Sequence, residues 1–87
     1  MTDHLDMVVI AKWAGAVGDY ARLHIDHPWV TQERHLDDVV GHGPRTTAMC
    51  ARVLTDWAGL DGRVLDLDVR YRGNSYPGDD LTAAGWV

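Results

Sequence analysis

Asp19 and His24 stand five residues apart in the stretch GDYARLHID, directly after Gly18. A carboxylate and an imidazole are the side chains most often used to take a proton from one atom and return it to another. Their spacing suits no regular backbone. On a helix, five residues turn through about 500° and leave the side chains about 140° apart. On a strand, an odd separation sends them to opposite faces. If the two meet, the backbone between them is irregular.

The flanking segments must do the positioning. MVVIAKWAGAV, residues 7–17, is apolar nearly all round and reads as a buried helix, with Asp6 to cap its start and Gly18 to end it. Its run Val8, Val9 and Ile10 leaves a short strand as the alternative. DYARLHID follows as a loop. HPWVTQERHLDDVV carries Pro28 where a first helical turn accepts it, with Trp29 and Leu36 seven apart on one face, so a short helix or turn is expected. GHG, residues 41–43, breaks the chain.

PRTTAMCARVLTDWAG begins with Pro44 and ends with Gly59, the asymmetry of helix ends. Met49, Val53, Leu54 and Trp57 form one stripe, widened by Ala48 and Ala51. In RVLDLDVRYRG, residues 63–73, alternation places Leu65, Leu67, Val69 and Tyr71 on one face and Val64, Asp66, Asp68, Arg70 and Arg72 on the other, as in a strand with one wet side. SYPGDD reads as a turn, and LTAAGWV as the start of another strand. Two strands alone do not make an independently stable sheet.

Composition narrows the possible roles. The chain has 87 residues, enough for a single domain, and a domain this small buries only about 60% of its unfolded surface. One cysteine, Cys50, allows no internal disulfide, which fits a reduced, cytoplasmic setting. A net charge of −5, with the eight Lys and Arg scattered, argues against nucleic acid as a partner. No apolar run approaches the roughly 20 residues that span a bilayer. MTDHLD is acidic and lacks the basic start of a signal peptide. There is no internal repeat and no low-complexity segment.

Three pieces in this order carry a resemblance: A-G-A-V-G-D-x4-H over residues 14–24, G-H-G over 41–43 before a long helix, and V-R-Y-R-G-N-S-Y-P-G-D-D-L over 69–81. Together they resemble the MaoC-like dehydratases, or (R)-specific enoyl-CoA hydratases, over nearly the whole chain. The resemblance implies an α+β hot-dog fold, a curved antiparallel sheet wrapped round a long central helix. Residues 1–87 would form one such domain, partial in this chain and lacking the usual C-terminal strands. Two departures stand out. Ala21 and Arg22 replace the family's usual Asn-Pro, and Pro44 replaces the apolar residue that commonly follows His-Gly. The stretch LTDWAG loosely resembles the branch that acts in steroid side-chain breakdown.

The implied reaction is reversible addition of water to a trans-2-enoyl thioester of coenzyme A, or of acyl carrier protein, to give a 3-hydroxyacyl thioester. Asp19 and His24 would hold the water. His24 is assigned as base toward the water and Asp19 as acid toward the α-carbon, with the exchanged roles left open. Such chemistry suits an imidazole, which ordinarily titrates near neutrality, and a carboxyl whose surroundings keep a proton on it. By family likeness, the Gly43 backbone N–H would meet the enolate oxygen. The free amides and dipole of a helix N-terminus suit that charge, while Pro44 has no N–H to add. No cofactor beyond the coenzyme A of the substrate and no metal is expected.

Plainer roles are assigned elsewhere. His42 reads as structural, and His4, His27 and His35 as solvent-facing. Cys50 reads as a small core residue. Trp13, Trp29, Trp57 and Trp86 read as core or interface. The expected partner is a second copy or another hot-dog subunit, since an open sheet exposes edges that pair. The competing functions are a non-catalytic or degenerate subunit supporting a partner hydratase, and a hot-dog thioesterase, which would need no D-x4-H loop.

Overall fold

The computed structural model describes residues 1–87. The elements are β1 (Thr2–His4), α1 (Met7–Val17), α2 (Arg22–Ile25), α3 (His27–Gln32), α4 (Gly43–Ala58) and β2 (Asp80–Thr82). The architecture is α+β, with helices against a two-stranded antiparallel sheet. No helix is long and apolar enough to cross a membrane.

The helix ends follow the chemistry of their flanking residues. The Asp6 carboxylate accepts from the Val9 N–H at 2.8 Å and starts α1. Gly18 ends it at φ 72°, a left-handed conformation that favours glycine, and returns its own N–H to the Ala14 carbonyl. Asp26 does two things in the link between α2 and α3. It accepts from the Trp29 N–H at 3.1 Å to cap α3, and it pairs with Arg22 Nε at 3.0 Å. α4 has Pro44 in its first turn and Gly59 beyond its last.

The two strands join the chain's ends. Thr2 lies opposite Thr82, Asp3 opposite Leu81 and His4 opposite Asp80. A tight turn with Gly78 at φ 101° leads into β2, closed by the Asp79 N–H donating to the Tyr76 carbonyl. The core lies under this pair. Leu5, Ile10, Val30 and Val39 form one buried cluster, flanked by Val9, Leu23, Trp29, Leu36 and Leu81.

Several sequence expectations change. DYARLHID is not all loop, because α2 occupies residues 22–25. α1 is a helix but is not buried all round: Ile10 and Ala14 are buried while Met7, Val8 and Val17 face outward. One layer covers one face of it. Residues 63–73 form no strand. Their alternation satisfies the pleat, but a strand also needs a neighbour for its N–H and C=O groups, and neither β1 nor β2 pairs with them.

The sheet of this chain therefore does not wrap α4. Of the expected stripe only Met49 is buried, and Trp57 is exposed. Cys50 points to solvent rather than into a core. Trp13 and Trp29 are half-buried, while Trp86 lies open. The radius of gyration is 14.6 Å, against about 12 Å for a compact chain of this length. The unpaired segment after α4 accounts for the difference in physical terms, since Leu60 and Leu65 touch little of the body.

Candidate active site

Gly18 turns the chain out of α1, and the Asp19 N–H still donates to the Ala14 carbonyl at 3.1 Å. Asp19 Oδ1 then accepts from the Ala21 N–H at 3.2 Å. That local bond is the Asx turn expected of an aspartate entering a turn. α2 begins immediately afterwards and carries His24 in its single turn. Three irregular residues followed by one helical turn thus solve the spacing problem. Asp19 Oδ2 lies 3.6 Å from His24 Nε2.

The separation is too long for a direct hydrogen bond. His24 Nδ1 is 2.6 Å from the Val40 carbonyl, which can only accept. That contact places the proton on Nδ1 and turns the Nε2 lone pair toward Asp19. The Asp19 Oδ2 lone pairs and the imidazole lone pair then face each other as two acceptors. A water donating one O–H to each would satisfy both, at about 2.8 Å from each atom.

His24 forms part of the wall of a cleft of about 490 Å³, with Leu23, Val40, Gly43, Tyr71 and Asn74. Asp19 is not among the residues of that wall; its side chain is half-exposed and lies beside His24. The Gly43 amide is at the first position of α4 and donates to no carbonyl. Arg45 and Thr46 both give their N–H groups to the His42 carbonyl, and Pro44 has none to give. Gly43 is therefore the free donor of this helix end. A Cβ there would lie 3.1 Å from the Tyr71 ring, so glycine lets the ring close over the helix start. The Tyr71 hydroxyl pairs with Thr47 Oγ1.

His42 was expected to be structural, and the tertiary fold brings it to the same place. It is 2% exposed. Its ring stacks on His24 with centroids 3.8 Å apart and planes 20° from parallel. Its Nε2–H donates to the Asp19 backbone carbonyl at 3.1 Å. No local spacing announces this, because the two residues are separated by 23 positions; the only hint is a histidine held between two glycines before a helix. His4 and His27 are solvent-facing as expected, each paired with a carboxylate, Asp80 and Asp38.

Asp19, His24 and His42 bring three metal-ligating side chains within 4.8 Å. The ring geometry opposes a shared ion. An imidazole lone pair lies in its ring plane, so a common metal must lie in both planes. Planes 3.8 Å apart and inclined by 20° meet only about 10 Å away, whereas a metal–nitrogen bond is about 2.0–2.1 Å.

The family model described as MaoC like domain matches residues 2–87. No curated protein and no solved structure matches the chain.

Proposed function

The chain belongs to the MaoC-like domain family, a family of hydratases and dehydratases, and on that premise we propose that it adds water reversibly to a trans-2-enoyl-CoA to give the 3-hydroxyacyl-CoA. The observation that carries this reading is the approach of Asp19 Oδ2 to within 3.6 Å of His24 Nε2, beside a cleft that Gly43 also lines.

The steps follow from the atoms present. A water sits between Asp19 and His24. His24 Nε2 takes one of its protons as the water oxygen bonds to the β-carbon of the enoyl group. The alkene electrons move through the α-carbon onto the thioester oxygen, where the Gly43 N–H meets the developing charge. The protonated Asp19 carboxyl gives its proton to the α-carbon. The proton held by His24 then passes to Asp19 and restores the starting state. Dehydration runs the same steps backwards. Conjugation to the thioester activates the alkene, so the residues need no separate cofactor.

The hot-dog architecture of the family is reached, in this reading, by pairing with a second copy or another hot-dog subunit. Trp57, Leu60, Leu65 and Trp86 are exposed and would be covered there. The outward Asp66, Asp68, Arg70 and Arg72 remain solvated.

The test is loss of the enoyl absorbance when the purified protein meets crotonyl-CoA and a longer or branched trans-2-enoyl-CoA. Asp19→Asn keeps an oxygen for the Ala21 N–H, so the turn survives while the acid is lost. His24→Ala removes the base. Each is expected to lower kcat by about 100-fold or more, with the melting temperature of Asp19→Asn unchanged. A folded wild-type protein that consumes no enoyl-CoA overturns the reading, as does full activity in either variant.

A further inference from the structure

We propose that His42 is the positioning residue of this site, holding the Asp19 loop with its ring nitrogen and the His24 ring with its face; the inference rests on the hydratase reading above. Two separate contacts support it. The first is the Nε2–H bond to the Asp19 carbonyl at 3.1 Å. Asp19 sits in an irregular stretch, where its own Asx turn fixes the residues after it and the bond to Ala14 fixes its N–H. The His42 bond fixes its carbonyl, and so the peptide plane that aims the carboxylate.

The second contact is the stack. His24 is anchored through Nδ1 to the Val40 carbonyl. A single hydrogen bond leaves a ring free to swing about the line of that bond. The His42 ring, 3.8 Å away and 20° from parallel, removes that freedom. Because the Nε2 lone pair lies in the ring plane, fixing the plane fixes the direction in which His24 accepts a proton.

The inside of the stack shows why stability alone does not account for an imidazole here. His42 Nδ1 is buried and has no hydrogen-bond partner. A buried orphan polar atom is unfavourable, and a hydrocarbon ring of similar size would fill the space without one. The placement becomes intelligible when both contacts are needed at once: a flat face on one side and a donor at the ring edge. His42 also sits immediately before Gly43, which lines the cleft and whose N–H is free. One short segment therefore registers the acid, the base and the charge-stabilising donor.

Two variants separate the two jobs. His42→Phe keeps a ring face and loses the donor. His42→Gln keeps a side-chain N–H near the Nε2 position and loses the face. Steady-state kinetics on the enoyl-CoA consumed by the wild type, with ¹⁵N imidazole shifts and ring ¹³C–¹H order parameters of His24 in the free protein, read the outcomes. Each variant is expected to lower kcat about tenfold and His42→Ala about a hundredfold, with KM within about twofold, because misplacement and not binding is affected. The His24 shifts should report the Nδ1–H tautomer held by Val40 in every variant, while ring ¹³C–¹H order parameters of His24 stay high in the wild type and His42→Phe and fall in His42→Gln and His42→Ala. His24 ring order unchanged in all variants overturns the proposal, and so does wild-type kcat in folded His42→Ala. If the wild type is inactive on every enoyl-CoA, the hydratase reading fails, and the ring-order measurement alone still decides the role of His42.

Discussion

Gly41→Ala is expected to damage both stability and catalysis, for reasons visible in the strap that carries His42. The Gly41 N–H donates to the Ser75 carbonyl at 2.8 Å, which draws residues 40–42 against the segment before β2. A Cβ at this position would lie 2.8 Å from Leu5 Cδ2 and closer still to Ser75 Oγ. Real side chains do not tolerate such contacts, so something must move. Ser75 is half-buried and its hydroxyl can rotate away. Leu5 is 1% exposed and lies in the central cluster, so it cannot. Overpacking of this kind costs about 1–3 kcal/mol. At about 2 kcal/mol, a domain of this size melts roughly 8–16 °C lower. Displacing the strap also displaces His42, so kcat should fall with stability even where the variant remains folded. Thermal melts of the variant, alone and in a Ser75→Ala background, measure the effect. The reasoning is refuted if Gly41→Ala loses less than about 0.5 kcal/mol. It is also refuted if Ser75→Ala restores full stability, because Leu5 would then not be the obstacle.

The other expectations concern pH and assembly. The hydrogen bond to Asp80 raises the His4 pKa above its ordinary 6.5, so its contribution to β1–β2 pairing is full below 6.5 and fades as pH rises through the raised value. The hydrogen bond to His27 lowers the Asp38 pKa below 3.8, so that contribution is full above 3.8 and fades as pH falls through the lowered value. Both are complete between those two ordinary values, and His4→Ala should flatten the fall in melting temperature from about pH 5 to about pH 8; an unchanged slope counts against the His4–Asp80 pair. Sedimentation at micromolar concentration is expected to show a dimer or a larger complex, because Trp57, Leu60, Leu65 and Trp86 lie exposed in the single chain. A stable monomer there would remove the pairing proposal.

Local chemistry was legible wherever the determinant lay within a few residues. Asp6 and Gly18 bound the first helix, and Pro44 and Gly59 bound the longest one, because caps act on backbone groups one turn away. The turn at Pro77 and Gly78 was equally readable. The ordered motifs resembled the family that the whole-chain match supports. The irregular backbone between Asp19 and His24 also followed from spacing alone, although the helical turn over residues 22–25 did not.

Burial and pairing were decided by the tertiary structure. Alternation over residues 63–73 describes a surface fit for a sheet, yet a strand forms only when a neighbour accepts its hydrogen bonds, and in this chain none does. The same gap leaves Cys50 and Trp57 in solvent, since helix periodicity names a face without saying whether anything covers it. The N-terminal residues, which carry no strand signal of their own, pair with residues 80–82 because the fold brings the ends together. His42 shows the limit most sharply. Its neighbours in sequence are two glycines, and its partners Asp19 and His24 are distant along the chain. The approach of side chains so far apart is set by how α1 packs on α2 and how the segment before α4 is bonded to Leu23 and Ser75, and packing depends on the shape of every surface at once.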